Sequence, residues 1–161
     1  MKKLKVPVVE VYATMNVRLS SISSVTSISQ YRMAKSIFGN AFSDTSFTRA
    51  DMKQAWLKCD MDQSFALHYN SIMIGFVLIQ TDPRCHYISY IAIDNEWKGN
   101  GLGTTLMKHV MEKALSEGKS LEVVPLLETI QWYKNLGFKQ LRNHLYVFHR
   151  HGTRRQLKGI H

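Results

Sequence analysis

The feature that most constrains the fold is a change of hydrophobic periodicity across a glycine-rich loop. Residues His86–Ile93 predict a β-strand, and the loop Lys98-Gly99-Asn100-Gly101-Leu102-Gly103-Thr104 follows shortly after. Apolar residues then recur with the spacing of one helix face, at Leu102, Leu106, Val110 and Ala114. Gly118 stands where a glycine commonly ends a helix. The chain therefore predicts a strand, a loop and a long helix in succession, as in a βαβ crossover.

The rest of the 161-residue chain predicts a single α/β (mixed α+β) domain, spanning 1–161, with a central, largely antiparallel sheet flanked by helices. Before the loop we expect, in order, strand Val6–Ala13, helices Val25–Phe38 (ending near Gly39) and Thr48–Lys58, and strands Ser64–Tyr69 and Ile72–Gln80. After the long helix we expect strand Ser120–Val124, a short helix Glu128–Asn135, and strands Phe138–Leu141 and Leu145–His149.

Short polar motifs predict how these elements begin and turn. The serine-rich stretch 20–24 is interpreted as a loop that caps the following helix. Thr48, with Asp51 three residues later, has the spacing of a helix N-cap and its partner. Asn70-Ser71 predicts a tight hairpin between two strands.

Composition excludes several classes of protein. No apolar run approaches the roughly 18 residues that a membrane span requires. The basic N-terminus is followed by Glu10, Asn16 and Arg18 where a secretion signal would be apolar, so we expect a cytoplasmic protein without membrane contact. Cys59 and Cys85 form no spaced pair, which indicates reduced thiols and no metal site.

Much of the formal net charge of +9 lies near the C-terminus, in a basic tail at about 150–161. Such a surface attracts phosphates, nucleic acids or acidic proteins. The tail lacks the interleaved aromatic residues that stack on bases. We therefore interpret it as a solvated tail and do not expect a nucleic acid partner.

The glycine loop has the features of an anion-binding site. Glycines let a ligand approach the backbone, and the first turn of a helix offers unpaired N–H groups and a positive dipole end. Lys98 adds a mobile positive charge. The loop lacks the Gly-Lys-Ser/Thr of a Walker loop, and Thr104 stands where the dinucleotide fingerprint requires its third glycine.

Two linked motifs resemble the GNAT superfamily of N-acetyltransferases. The family's acetyl-CoA loop reads Arg/Gln-x-x-Gly-x-Gly/Ala, which Lys98–Gly103 matches at both glycines, with lysine in place of arginine or glutamine. A Tyr-x-x-x-Gly-Phe tract closes the family core, here Tyr133–Phe138. Many members carry asparagine seven residues before this tyrosine, whereas this chain has Leu126. That departure argues against a side-chain hydrogen bond from this position to the pantetheine arm.

The resemblance implies that acetyl-CoA is the acetyl donor, that no metal takes part, and that a substrate amine attacks the thioester directly. It implies coenzyme contacts along the strand and loop, at Ile91, Ala92, Ile93, Lys98, Gly99, Asn100, Gly101, Leu102, Gly103 and Thr104. A backbone N–H of the strand would bind the oxyanion. Tyr133 would hydrogen-bond the departing thiolate, although it could also be a packing residue beside Trp132 and Phe138.

The base that removes the amine proton is left open by the sequence. Strand alternation places Tyr87, Ser89, Ile91 and Ile93 on one face, and His86, Ile88, Tyr90 and Ala92 on the other. We therefore expect Tyr87 and Ser89 to face the acceptor and to hold a water molecule there. Glu122 is a second candidate, and alternation directs His86 away.

The sequence thus predicts an N-acetyltransferase with an amine-bearing acceptor of unknown type, present as a monomer or homodimer. The alternative is a non-catalytic module of the same fold that binds acyl-CoA or a partner. The acceptor region is expected at roughly 20–59, where Phe38, Phe42, Phe47 and Trp56 either line a pocket or belong to the core. Few acids lie there, which argues against a strongly polycationic acceptor.

Overall fold

The computed structural model describes residues 17–22 and 28–149. In chain order these residues form β1 (Val17–Ser21), α1 (Ile28–Ala41), α2 (Arg49–Lys58), β2 (Phe65–Tyr69), β3 (Ile72–Thr81), β4 (Cys85–Ile93), α3 (Leu102–Ser116), β5 (Ser120–Val123), α4 (Ile130–Asn135), β6 (Lys139–Arg142) and β7 (Leu145–Phe148). The predicted strand Val6–Ala13 and the basic tail lie outside the described residues.

The strands form one sheet in the order β1-β2-β3-β4-β5-β7-β6. Only β4 and β5 run parallel, joined by the crossover through α3, and the other neighbours are antiparallel. The expectation of a mixed α/β fold with a largely antiparallel sheet is therefore confirmed. Among the described residues, no helix is both long and apolar enough to span a bilayer.

Strand β1 was not predicted, and the interpretation of Ser20 and Ser21 as loop residues is wrong. Both serines lie in β1, which pairs with β2 from Val17 opposite Tyr69 to Ser21 opposite Phe65. The flanking Val17 and Ile22 are buried. Pairing and burial therefore override the local preference of serine for loops.

The other boundary signals agree with the structure except at the end of α1. Thr48 and Asp51 form the predicted capping box, in which each side chain bonds the other residue's backbone. Asn70 and Ser71 make the predicted hairpin, with φ of 47° and 67°. Helix α1 continues past Gly39 to Ala41, because the residues that follow the glycine still pack on the sheet.

Two apolar clusters hold the helices on opposite faces of the sheet. On one face α3 buries residues such as Leu102, Leu106 and Val110 against the sheet, together with Tyr133 and Phe138. On the other face α1 and α2 bury Ala34, Ile37, Phe38, Met52 and Ala55.

Cys59 and Cys85 are both free thiols, as expected. Burial, followed by a hydrogen bond to Asp82, raises the pKa of Cys85 to about 12.

A β-bulge in β4 overturns the predicted assignment of its faces. Leu78 pairs with Tyr90 but the next residue of β3, Ile79, pairs with Ile88, so Ser89 is an extra residue in β4. Ile88 consequently packs on the α3 side, as Ile91 and Ile93 do. Tyr90 and Ala92 pack on the α1 side, so the prediction that Ile88 shares their face is wrong.

Strands β4 and β5 separate at the same residue. Their pairing runs from Cys85 opposite Ser120 to Ile88 opposite Val123, where β5 ends. The second half of β4, from Ser89 to Ile93, therefore does not pair with β5. This divergence opens a gap in the sheet next to the glycine loop.

Candidate active site

A cleft of about 500 Å³ occupies the gap between β4 and β5. Such a volume is typical of small-molecule sites. Its lining is supplied by residues 88–93 of β4, the loop from Trp97 to Thr104 without Asn100, the segment 123–126, and the side chains Ala41, Phe42, Phe47, Glu128, Thr129, Trp132 and Tyr133. The cleft therefore joins the loop, the parallel crossover and the end of α1.

The glycine loop takes a backbone path that glycine favours. Gly99 and Gly101 have φ of 83° and 72°, in the left-handed region. Gly101 is the N-cap of α3 and, having no side chain, leaves the first-turn N–H groups without a side-chain cap. The first turn contains no acidic residue. This end of the cleft is thus electropositive and open to an anion.

Asn100 supports the loop from within and does not line the cleft. Its side chain is 9% exposed, and Nδ2 donates a hydrogen bond to the Trp97 carbonyl at 3.0 Å. Lys98 lines the cleft and is the only cationic residue among the described lining residues. We conclude that Lys98 fits the predicted contact, whereas the Asn100 side chain fits a structural role.

Tyr133 and Trp132 of α4 close the cleft over the start of α3. The Trp132 indole N–H donates a hydrogen bond to Thr104 Oγ1 at 3.0 Å, which ties α4 to the first turn of α3. A Cβ on Gly103 would lie 3.7 Å from Ile93 Cγ1 and 3.8 Å from Trp132 Cζ2. Trp132 was treated in the sequence only as a packing neighbour, because nothing in its spacing indicates the bond to Thr104.

The phenol of Tyr133 lies in a largely apolar setting. The residue is 3% exposed, and its ring packs edge-on against Trp132 and Phe138 at centroid distances of 4.8 and 5.2 Å. Burial, and to a lesser extent the neighbouring Tyr87, raises the pKa of Tyr133 well above its usual value. Tyr133 therefore stays a hydrogen-bond donor throughout the neutral range.

The structure separates the three candidates for managing the amine proton. Ser89 lines the cleft, and its hydroxyl accepts a hydrogen bond from Gln80 Nε2 at 3.1 Å. Tyr87 and Glu122 are register partners in β4 and β5 and are not lining residues. Burial, then the charge of Glu122, raises the pKa of Tyr87. His86 bonds Glu117 at the far end of α3 through Nε2, at 2.9 Å, and takes no part in the cleft.

The part of the cleft on the α1 side of the sheet is aromatic. Of the two alternatives for Phe42 and Phe47, the structure shows both residues lining the cleft, and both contact Tyr90, at centroid distances of 5.5 and 5.2 Å. Phe38 is buried beneath Tyr90, and Trp56 packs against Tyr31. Alternation correctly placed Tyr90 on the face opposite Ile91 and Ile93, but its position at the cleft was missed because the acceptor was expected on the face of Tyr87 and Ser89.

Comparison with known proteins agrees with this geometry. The sequence model of the acetyltransferase (GNAT) family matches residues 29–138. No curated protein sequence matches the chain. Within the described residues, no group of three or more His, Cys, Asp or Glu could hold a metal ion.

Solved structures share the fold at low sequence identity. A protein from Pyrococcus horikoshii OT3 has a TM-score of 0.72 and 13% identity, and the match covers 83% of this chain and 98% of that one. The ribosomal-protein-S18-alanine N-acetyltransferase of Escherichia coli has a TM-score of 0.64 and 19% sequence identity, and the match covers 81% of this chain and 90% of that one. A GNAT family acetyltransferase from Brucella melitensis, in complex with acetyl-CoA, has a TM-score of 0.65 and 10% sequence identity, and the match covers 84% of this chain and 88% of that one.

Proposed function

We propose that this chain, which belongs to the GNAT acetyltransferase family, binds acetyl-CoA in the cleft and transfers the acetyl group to an amine. The observation that carries the proposal is the continuity of the cleft. It runs from an uncapped helix N-terminus, past the free edge of β4 and Tyr133, to an aromatic end. A thioester held beside Tyr133 would be reached by the coenzyme from one side and by an amine from the other.

The coenzyme contacts follow from the backbone. The N–H groups at the start of α3 and the charge of Lys98 suit a pyrophosphate. The free edge of β4 at Ile91–Ile93 offers backbone groups to the pantetheine arm, and one of its N–H groups would bind the oxyanion. Leu126 lines the cleft but has no polar side chain, so this segment contributes only backbone and apolar contacts.

Tyr133 is proposed to donate a hydrogen bond to the departing thiolate. A thiol has a pKa of about 8.5, and the phenol of Tyr133 has a pKa raised above its ordinary value of 10. Full proton transfer to sulfur is therefore uphill, and stabilisation of the developing negative charge is the larger part of its role. As the amine nitrogen bonds the acetyl carbon, the carbon–sulfur bond breaks, and the nitrogen loses its proton to water.

For that last step Ser89 is the best placed of the three candidates, because it lines the cleft. Tyr87, with its raised pKa, would remain protonated and could only hold a water molecule. Glu122 would act through Tyr87, its register partner. A cytoplasmic location, and a monomeric or homodimeric state, stay predictions.

The test is release of free thiol from acetyl-CoA in the presence of a panel of amines. We expect turnover with at least one amine, and we expect Tyr133→Phe to lower kcat by about 100-fold, at the low end of general acid effects. Acetyl-CoA affinity, measured by calorimetry, should change little, because the hydroxyl acts mainly on the departing sulfur.

Tyr146→Phe is the matched control. Tyr146 is buried in the same apolar cluster but lies in β7 and does not line the cleft, so its kcat should stay within about twofold. Equal kcat for wild type and Tyr133→Phe would remove Tyr133 from the mechanism. Tight acetyl-CoA binding without thiol release across the panel would favour the alternative of a non-catalytic acyl-CoA-binding module.

A further inference from the structure

A second cavity, of about 520 Å³, adjoins the aromatic end of the cleft between α1 and the start of α2. It shares Phe42 and Phe47 with the cleft, so the two spaces meet at these rings. Three cationic side chains line it, from Arg32, Lys35 and Arg49. We call this second space the basic pocket.

The charge of the basic pocket is not balanced by neighbouring acids. Among the residues that the structure describes, no acidic residue lines it. Asp51, two residues from Arg49, is engaged as the capping partner of Thr48, with Oδ2 2.7 Å from the Thr48 backbone N–H. Asp44 is exposed on the connecting loop and is not a lining residue.

The three cations are also without ion-pair partners among the described residues. None of them forms an ion pair within the described part of the chain. Lys35 makes only a long contact, with Nζ 6.0 Å from the centre of the Tyr31 ring. Arg32 and Lys35 are three residues apart on α1 and hence on one face of it, so their like charges repel each other. An anion in the basic pocket would relieve that repulsion.

We propose that the acceptor amine also carries a carboxylate or phosphate group, which Arg32, Lys35 and Arg49 hold in the basic pocket. The inference rests on the proposed acetyltransferase function. The acceptor enters past Phe42 and Phe47 and presents its amine to the cleft, while its anionic group stays among the three cations. Guanidinium groups suit this task because they bind carboxylate and phosphate oxygens in pairs.

The coenzyme's own phosphates are a poorer match for the basic pocket. Helices α1 and α2 pack on the face of the sheet opposite α3, whose N-terminus is the proposed pyrophosphate site. An acceptor that reaches the cleft from the α1 side meets the basic pocket first. The basic pocket thus selects among acceptors and leaves donor binding to the glycine loop.

The experiment compares kcat/KM for amines that differ only in the anionic group. Suitable pairs are γ-aminobutyrate with n-butylamine, and phosphoethanolamine with ethanolamine. A third pair, Ala-Glu-Ala and Ala-Gln-Ala amides, distinguishes an acidic side chain of a peptide from a small anionic amine. We expect the anionic member of at least one pair to have a kcat/KM about tenfold or more higher, the size of one charge-assisted hydrogen bond.

Arg32→Gln and Arg49→Gln test the residues. Each should reduce the ratio of kcat/KM for the anionic amine to kcat/KM for the neutral amine by about tenfold, because each removes one charge-assisted hydrogen bond. Lys53→Gln is the matched control, since Lys53 is exposed on α2 outside the basic pocket, and its ratio should equal that of wild type. Acetyl-CoA affinity is measured for every variant.

The outcomes separate this inference from the proposed function. Thiol release with equal kcat/KM for both members of every pair would overturn the anionic acceptor and leave the acetyltransferase intact. The role of the basic pocket would be overturned if both arginine variants kept the wild-type preference for the anionic amine. It would also be overturned if the variants lost only affinity for acetyl-CoA. Absence of thiol release with every amine, neutral ones included, would instead refute the proposed function.

Discussion

The two glycines of the acetyl-CoA loop motif should respond in opposite directions to the same substitution. Gly101 has φ of 72° and ψ of 12°, a left-handed conformation in which a Cβ costs about 1–2 kcal/mol. Gly103 lies inside the first turn of α3, where alanine is better than glycine by about 0.5–1 kcal/mol. We therefore expect Gly101→Ala to destabilise the fold and Gly103→Ala to stabilise it.

The space around Gly103 supports that expectation. The added Cβ would meet Ile93 and Trp132 at 3.7 and 3.8 Å, which is ordinary van der Waals contact. The two free energies of unfolding should differ by about 1.5–3 kcal/mol, or roughly 3–12 °C in Tm for a chain of this length. Thermal and urea unfolding of the two variants measure the difference directly.

Acetyl-CoA affinity gives the second measurement. Any part of this cost that Gly101→Ala avoids in the free protein, by leaving the left-handed region, must be recovered on binding, so acetyl-CoA affinity should weaken by up to about 30-fold, the equivalent of 2 kcal/mol. Gly103→Ala should stay within about threefold of wild type, because its methyl group fits the space already present. If Gly101→Ala matches wild type in both Tm and affinity, the loop does not act through its left-handed backbone.

Two further predictions concern the sheet. Ser71 has φ of 67° in the β2–β3 hairpin, so Ser71→Gly should raise stability by about 0.5–1 kcal/mol in urea unfolding, and Ser71→Ala, which keeps the Cβ, should give no such gain. Burial, then the charge of Arg18, lowers the pKa of His68, so its contribution to stability is complete above the unfolded pKa of about 6.5 and declines as pH falls below it. The Tm of His68→Gln should therefore fall less than the Tm of wild type between pH 7 and pH 5. An identical fall would show that protonation of His68 is not linked to stability.

The sequence predicted the parts of the site that depend on local chemistry. Gly101 adopts the left-handed conformation that its residue type favours, and α3 begins directly after it. Tyr133 and the glycine loop meet in one cleft, as the spacing of the two family motifs implied. These features could be predicted because a glycine or an N-cap restricts its own backbone, whatever surrounds it.

The parts that escaped prediction depend on contacts between distant residues. Strand β1 exists because Val17–Ser21 pairs with β2, at residues 44 to 52 positions later in the chain. The Trp132–Thr104 hydrogen bond joins two helices, and neither residue type indicates the other. The basic pocket likewise brings Arg32 and Lys35 of α1 together with Arg49, the first residue of α2. The position of each charge in its own helix does not indicate that the three lie around one cavity.

The bulge at Ser89 explains how one strand can serve both ends of the cleft. Without the extra residue, strict alternation would place Tyr90 on the same side of the sheet as Ile88, and Ile91 on the opposite side. With it, Ile88 and Ile91 both pack towards α3, while Tyr90 between them contacts Phe42 and Phe47. Strand β5 also ceases to pair with β4 at this point, so the change of face and the opening of the sheet coincide. One strand therefore presents an edge that does not pair with β5 and, from the residue after the bulge, an aromatic ring on the α1 side.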